Sequence, residues 1–403
     1  MSMSISSHKY DVIVVGMGPA GASAAHELSQ RGLSVLAFDK QAHPRYKVCG
    51  GGLSARISKI LPADFPSVVE KTVHRVQFAY EAQESFLIES SEPIAYMVMR
   101  QHFDQWLVEK ARQAGATIHE EETVVEIQNG EEGVDVFTKQ GRYHSQVVIG
   151  ADGVMSVVAQ QCFSGRSFRK IPALESEVQG GLTHPFQEIP TALISLQAAK
   201  KGYGWIFPKQ QGLSLGIGEF ENGAKRPKQS FRDFIGHEPM LSGLKIPAPL
   251  GYPLPIAHAS AYRNGNGWVG RLVCGRAILV GDAGHLVDPL LGEGIYYAVR
   301  SGQLAAKTII DMLCHPATGR LSKYETLVAT EFGQEFRVAG RLGKIIYGLP
   351  RSMHRWAGQR FPDAYQRVLH RYCELLQGKE TYQSLWARIL QRLNWPFAPK
   401  YCE

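Results

Sequence analysis

The sequence is poor in the features that mark several protein classes. Its 403 residues contain six cysteines (Cys49, Cys162, Cys274, Cys314, Cys373 and Cys402), and no two form a C-x-x-C pair. That excludes a disulfide scaffold and a zinc ribbon, and the scatter fits a reducing, cytoplasmic setting. No His-Glu-x-x-His, cysteine cluster or acidic metal pair appears, so no metal is expected. No run of 18 apolar residues occurs, which argues against a membrane-spanning helix. The first seven residues, four of them serine, lack the basic-then-apolar pattern of a secretory leader. Internal repeats and low-complexity tracts are absent. What remains is ordinary globular composition, 44% hydrophobic and 20% charged, in a chain long enough for a large core in two or three domains.

Charge is distributed unevenly. The chain carries 44 Lys+Arg and 37 Asp+Glu, net +7. Residues 331–403 hold 12 Lys/Arg against 6 Asp/Glu, so +6 of that excess lies in the last 73 positions. Trp356, Phe361, Tyr365, Tyr372, Trp386, Trp395 and Phe397 are interspersed there. Basic, aromatic helices suit a peripheral contact with anionic lipid, an acidic protein partner, a cap over an apolar tunnel or a solvated packing surface. No basic-region, finger or RNA-binding motif accompanies the charge, so nucleic acid is not expected.

The N-terminal segment reads as strand, tight turn, helix and strand. Val12–Val15 is a β-branched run, Gly16-Met17-Gly18-Pro19-Ala20-Gly21 follows, a small-residue helix extends to Arg31, Gly32 stops it, and Leu33–Phe38 leads into Asp39 and Lys40. G-x-G-x-x-G by itself is weak. Here it lies between strand and helix, with an acid 18 residues beyond its last glycine. Gly16 permits the sharp turn, Gly18 lets the backbone approach a pyrophosphate, and Gly21 lets helix and strand pack closely. The helix N-terminus offers N–H groups to phosphate, and Asp39 can accept from a ribose.

NAD and FAD both use this turn, and two later segments favour FAD. Val147–Ile149 runs into Gly150-Ala151-Asp152-Gly153, a strand ending in an Asp-Gly turn. Ala277–Val280 runs into Gly281-Asp282-Ala283, followed by Asp288-Pro289 and Gly292-Glu293-Gly294-Ile295 at the start of a helix. Asp282 is placed for a ribityl or ribose hydroxyl, and the glycines let N–H groups approach a flat ring. No second strand–turn–helix of the dinucleotide type is found, so reducing equivalents are expected from an external donor, NADPH or ferredoxin. The second of these implies an acidic electron-transfer partner.

Together these segments resemble the FAD signature of the aromatic-hydroxylase-type flavoproteins. Arg100-Gln101-His102-Phe103-Asp104 resembles their Arg-x-x-Phe-Asp segment, whose Arg lies by the flavin. Two further stretches resemble the geranylgeranyl reductase family. Pro44-Arg45-Tyr46-Lys47-Val48-Cys49-Gly50-Gly51-Gly52-Leu53 is similar to its Lys-Pro-Cys-Gly-Gly segment, with Val48 where Pro is commoner. Tyr203-Gly204-Trp205-Ile206-Phe207-Pro208, followed by Gly216-Ile217-Gly218, is similar to its Tyr-x-Trp-x-Phe-Pro…Gly-x-Gly motif. The likeness spans roughly residues 8–320. Taken alone, the alternating Tyr203, Trp205 and Phe207 read as plain core, Cys49 as a small packing residue, and Arg45 with Lys47 as a solvated loop.

The resemblance implies an α/β fold. A Rossmann-like FAD-binding domain (8–60, 98–170, 271–317) would join an antiparallel-sheet substrate domain (61–97, 171–270) and a helical C-terminal segment (318–403). It implies reduction of carbon–carbon double bonds in an isoprenoid or lipid-like substrate. A flavin monooxygenase or halogenase acting on an aromatic, quinone or polyketide substrate is the competing reading, and a non-enzymatic flavin or prenyl carrier a third. Catalysis is expected at Cys49, Gly50 and Gly51. Cofactor contacts are expected from those three and from Gly16, Gly18, Pro19, Ala20, Gly21, Asp39, Lys40, Arg45, Arg100, Val125, Ala151, Asp152, Gly153, Gly281, Asp282, Ala283, Pro289, Gly292, Gly294 and Ile295. Substrate contacts are expected from Tyr203, Trp205, Phe207, Pro208, Gly216 and Gly218.

Overall fold

Strand β1 (Lys9–Val15) buries Val12, Ile13, Val14 and Val15, the pattern of a strand covered on both faces. Helix α1 (Pro19–Gln30) starts with proline in its first turn, and Gly32, at φ +78°, turns the chain into β2 (Val35–Phe38). The computed structural model describes residues 9–81, 84–163, 169–179, 188–196, 198–199, 201–220, 226–257 and 270–392. Next come β3 (Gly52–Ser54), β4 (Lys71–Val73), β5 (Arg75–Glu81), β6 (Glu84–Glu89), β7 (Ala95–Met97), α2 (Arg100–Gln113), β8 (Thr117–His119), β9 (Val124–Asn129), β10 (Val134–Thr138), β11 (Arg142–Gly150) and α3 (Val157–Cys162). The middle of the chain forms β12 (Arg169–Gln179), β13 (Thr191–Leu196), β14 (Gly202–Pro208), β15 (Gly212–Glu219), α4 (Pro227–His237) and β16 (Leu250–Ile256). Then follow β17 (Val273–Cys274), β18 (Ala277–Leu279), α5 (Ile295–Cys314), α6 (Lys323–Val328), α7 (Gln334–Gly348), α8 (Arg351–Arg360), α9 (Pro362–Leu376) and α10 (Tyr382–Arg392).

The chain divides into two compact units. Unit 1 takes Met1–Lys47, Arg100–Arg169 and Leu254–Phe336; unit 2 takes Val48–Met99, Lys170–Pro253 and Arg337–Glu403. These cuts differ from the boundaries read from sequence. Residues 48–60 fall in unit 2 because Gly52–Ser54 pair with Ala95–Met97. Residues 318–336 fall in unit 1, where the Tyr324 hydroxyl donates to the Leu279 carbonyl (3.0 Å) and Glu325 accepts from the Leu272 and Val273 amides.

Unit 1 is an α/β, Rossmann-like layer. Its sheet runs β17-β18-β11-β1-β2-β8, with β9 and β10 attached through β11. Strands β18, β11, β1, β2 and β8 are mutually parallel, so their C-terminal ends share one edge. In open α/β sheets that edge is where ligands bind. Helices α1 and α5 pack backbone to backbone: a Cβ on Gly302 would lie 2.3 Å from the Ala20 carbonyl oxygen.

Unit 2 is built on a seven-stranded sheet, β16-β12-β15-β14-β13-β5-β6, antiparallel from β12 through β13 and between β5 and β6, with β13 parallel to β5. One face carries Leu193, Ile206, Leu213, Leu215 and Ile217, packed with Phe231 and Phe234 of α4. Another cluster joins Val76, Phe78 and Ile88 of β5 and β6 to Leu369 and Cys373 of α9, and the Phe78 ring meets Tyr372 edge-on at 5.3 Å. Each such buried side chain contributes about 1.5–3 kcal/mol. The C-terminal helices are therefore part of a core.

Candidate functional site

The three glycine-and-aspartate corners of the sequence meet within unit 1. Gly16, at φ +95°, ends β1; a Cβ there would lie 2.5 Å from the Ala151 carbonyl oxygen. The Ala151 amide in turn donates to the Val15 carbonyl at 2.8 Å. A Cβ on Gly281 would lie 3.0 Å from Ala20 Cβ, and the Gly281 amide donates to Ser301 Oγ at 2.9 Å. First and second corners thus touch at Gly16–Ala151, and first and third at Ala20–Gly281.

The glycines of the first turn do different jobs. A Cβ on Gly21 would meet the Gly16 carbonyl oxygen at 1.9 Å, so the protein's own packing requires glycine there. Gly18 has φ −73°, and a Cβ on it would find only Arg45 Nη2, at 3.7 Å. Neither strain nor protein packing explains that glycine, whereas a group lying against the turn would. Gly18 also caps α1 without a side-chain bond, and the helix's first turn has no acid. That is the donor arrangement a pyrophosphate requires.

Acids and bases surround the turn. Asp39 is buried; its Oδ2 accepts from the Met17 amide (2.9 Å) and its Oδ1 from the Gln41 amide (3.0 Å). A carboxylate retains lone pairs beyond those two bonds. Lys40 beside it is exposed. Arg45 Nη2 stands 4.0 Å from Asp39 Oδ2, and its Nη1 3.1 Å from Asp104 Oδ2. Asp104, fully buried, also receives Arg100 Nε and Nη2 at 2.8 Å each. Burial opposes its charge, yet Arg100, with Arg45 and His43 behind, holds it below the usual carboxylate range. Asp104 was legible only as part of a motif; its i,i+4 spacing from Arg100 was the signal for an ion pair.

The remaining expected contacts separate into groups. Asp152 Oδ2 accepts from the Val157 amide at the start of α3 (2.6 Å), while its buried Oδ1 has no hydrogen-bond partner. Burial raises its pKa. An orphaned buried acceptor of this kind fits a hydroxyl donor. Gly153 follows at φ +78°. Asp282 is half-buried, its pKa raised by burial against the pull of Lys47 and Arg100. Asp288 accepts from the Leu290 and Leu291 amides at 2.7 Å each, fixing the turn through Pro289; Gly292 follows at φ +65°. Gly294 caps α5, with Ile295 buried at its first position, and Ala283 is buried. Val125 is 45% exposed on β9, and its carbonyl accepts from Gln161; no described contact joins it to the corners.

In unit 2 two distant motifs come together. The Cys49–Gly52 loop lies on the rings of β14. A Cβ on Gly50 would be 2.7 Å from Trp205 Nε1, and one on Gly52 2.8 Å from Phe207 Cε2. Gly51, at φ +61°, is held by the Val98 amide on its carbonyl (2.9 Å), and its own amide points to Cys49 Sγ (3.4 Å). Gly50 and Gly52 are thus needed by the aromatic strand itself, and Gly51 by the Val98 carbonyl oxygen, which a Cβ would meet at 2.2 Å. Trp205 is buried, stacked beside Phe207 at 6.1 Å, with Tyr203 at 6.1 Å on its other side. Tyr203 stacks on Phe220 (5.9 Å), and Tyr347 of α7 lies over Phe220 at 5.0 Å. Gly216 is required by Trp205, whose Cζ2 a Cβ would meet at 2.0 Å; Gly218 faces Phe220, and Pro208 closes β14.

Sequence reasoning passed over Lys209 and Glu175. Lys209, next after Pro208, is buried. Its Nζ donates to the carbonyls of Gly50 (2.8 Å), Val98 (2.8 Å) and Gly51 (3.4 Å). Beneath the wall, Trp205 Nε1 donates to Ser214 Oγ (3.4 Å), which donates to the buried Glu175 carboxylate (3.2 Å). Gly212-Leu213-Ser214-Leu215-Gly216 spells G-x-S-x-G, but it is continuous strand with Ser214 fully buried, so it is no nucleophile elbow. The spacing G-x-G-x-x-G recurs at 265–270, mostly outside the described residues, and a strand, β17, follows where a helix would be needed. Trp395, Phe397 and Cys402 also lie outside the described residues. Among the described residues no three His, Cys, Asp or Glu cluster as metal ligands, and no helix is long and apolar enough to cross a membrane.

Comparison with known proteins adds four findings. A family model described as FAD binding domain matches residues 9–330. The geranylgeranyl diphosphate reductase of Rhodobacter capsulatus is 29% identical over 352 residues, covering 82% of each chain. A geranylgeranyl bacteriochlorophyll reductase-like structure from Thermoplasma acidophilum superposes with a TM-score of 0.75 at 21% identity, covering 96% of this chain and 99% of that one. The flavin-dependent brominase Bmp2 superposes at 0.69 with 19% identity, covering 96% and 100%. At those identities the two structures share a fold with this chain and do not choose between chemistries.

Proposed function

The chain belongs to the FAD binding domain family, and from that footing we propose that it reduces carbon–carbon double bonds of an isoprenoid chain. The observation that carries this reading is the seating of the Cys49–Gly52 loop on the Trp205 and Phe207 rings. It brings the loop that carries the Cys49 thiol onto an aromatic strip of Tyr203, Trp205 and Phe207, with few polar groups in that strip to prefer a hydrophilic ligand. The relative from Rhodobacter capsulatus, named for geranylgeranyl diphosphate, supports the same substrate class.

When bound, FAD supplies the reducing equivalents. The protein's own residues do the rest. The open face of Gly18 and the uncapped start of α1 receive the pyrophosphate, Asp39 the ribose, and Asp152 Oδ1 and Asp282 hydroxyl groups. Arg45 and Arg100 share Asp104 and so hold fixed positions beside the turn. Tyr203, Trp205 and Phe207 orient the alkenyl chain, and the apolar wall excludes water. An isolated alkene accepts hydride poorly without a proton, and the Cys49 thiol, in the loop seated on that wall, is the donor this reading assigns.

Electrons enter from an external donor, NADPH or a ferredoxin. Contact with anionic lipid at α8 completes the reading. Met353, Trp356 and Phe361 are 47–59% exposed there, and the Arg360 guanidinium lies 5.2 Å from the Phe361 ring.

The test is anaerobic. Protein reconstituted with FAD is reduced with dithionite and mixed with geranylgeranyl diphosphate or a geranylgeranylated lipid, and products are weighed. A gain of two hydrogens per bond is expected. Turnover only on admitting oxygen, with a hydroxylated or halogenated product, overturns the proposal, as does protein that takes up no FAD.

A further inference from the structure

Lysine is among the residues least often found buried, and Lys209 is only 5% exposed. Its Nζ lies beneath the Cys49–Gly52 loop, on the carbonyls of Gly50 and Gly51, and it reaches the Val98 carbonyl on the neighbouring segment. A Cβ on Gly51 would approach that nitrogen to 2.7 Å. The same Gly51 turns its amide to Cys49 Sγ. One side chain from the end of β14 thus gathers three backbone carbonyls around the residue that presents the thiol.

We infer that Lys209 is the positioning residue for Cys49: it is the strut under the Cys49–Gly52 loop, and lifting the loop off Trp205 and Phe207 returns Nζ to water. This deepens the proposed function, on which it rests only for what the loop is for. How the loop is held does not depend on that reading.

Proton linkage follows from the geometry. Burial lowers the Lys209 pKa to about 8, against the opposing pull of Cys49 in the loop, Glu177 and Glu175 on β12, and Glu70 before β4. A lifted loop leaves the amine near the ordinary lysine value of about 10.4. The seated loop therefore binds the proton less tightly, and raising pH favours seating. Between pH 7 and pH 9 these two values amount to about a tenfold gain in the seated-to-lifted ratio.

The experiment is hydrogen exchange by mass spectrometry on the full-length protein, following the peptide covering Cys49–Ser54. Rates are corrected for the intrinsic pH dependence of amide exchange. Wild type should gain about tenfold protection from pH 7 to pH 9. Lys209→Met keeps the stem and loses the donors, so protection should fall about tenfold at pH 7 and the pH step should vanish. Lys209→Arg keeps a permanent charge and donors; it should retain protection without the step. A flat wild-type profile overturns the inference. So does a Lys209→Met protein with wild-type protection and pH response. Should Lys209→Met fail to fold, the wild-type profile and Lys209→Arg still decide. None of these outcomes involves turnover, so they stand apart from the isoprenoid assay.

Discussion

Gly18 and Gly21 lie three residues apart in one turn and answer to different demands. Gly21→Ala forces a Cβ to within 1.9 Å of the Gly16 carbonyl oxygen, so chemical denaturation should show a loss of about 3 kcal/mol or more. Gly18→Ala meets nothing closer than 3.7 Å at a permitted φ, so the FAD-free protein should stay within about 0.5 kcal/mol of wild type. Its FAD affinity, read by flavin fluorescence quenching, should fall at least about tenfold, or about 1.4 kcal/mol. Asp104 makes a second residue-scale test. Its carboxyl titrates below the ordinary value in the folded protein, so its contribution is complete above about pH 4 and is lost as pH falls through the lowered value. Asp104→Asn should cost about 3–5 kcal/mol at pH 7, because two buried guanidinium groups lose their shared partner. The acid limb of its stability curve should also be shallower than in wild type.

At the scale of the element, β14 shows how a strand divides its residues. Gly204 and Ile206 face α4, where a Cβ on Gly204 would strike Phe234 at 2.9 Å, while Tyr203, Trp205 and Phe207 take the other side. That alternation was plain in the sequence, as were β1, α1, α2 and α5 to within a few residues, because period and glycine punctuation are local signals. The partner of the aromatic face was not legible. The Cys49 loop reaches Trp205 across some 150 residues of chain, and nothing in either motif announces the other. Lys209 escaped for the same reason: a lysine after proline reads as a solvated turn, and its partners are carbonyls, which carry no sequence signature. Asp152 was legible as a corner, but its bond to the Val157 amide depends on where α3 begins. Trp205 and Gly216 should be coupled. Gly216→Ala alone should cost about 1–3 kcal/mol by urea denaturation. Combined with Trp205→Leu, the double mutant should be less destabilised than the sum by at least about 0.5 kcal/mol.

At the scale of the whole molecule, the sequence read 318–403 as one appended helical segment. The structure distributes it instead: Tyr324 is tied to β18, while Tyr347, Leu369 and Tyr372 pack on the aromatic and aliphatic surfaces of the large antiparallel sheet. A chain ending at residue 336 should consequently lose unit 2, not a tail. Circular dichroism and dye binding should report a molten, aggregation-prone sheet with Phe78 and Phe86 uncovered. The basic charge in this region predicts a separate effect in the intact protein. Flotation with vesicles containing anionic lipid should be strong at low salt and fall off by 0.5 M, since surface attraction is screened over a few ångströms there.

Gly302 stands where α5 crosses α1, with no side chain between the two backbones. Most helix pairs have a cushion of side chains that can repack when one partner shifts; this pair has none at its crossing. A nudge to the loop ahead of α5, from a ligand or from a substitution, therefore has no soft layer in which to dissipate. It arrives at the start of α1 as a rigid push, so a bulky residue at 302 should spoil nucleotide binding from the far side of the helix pair.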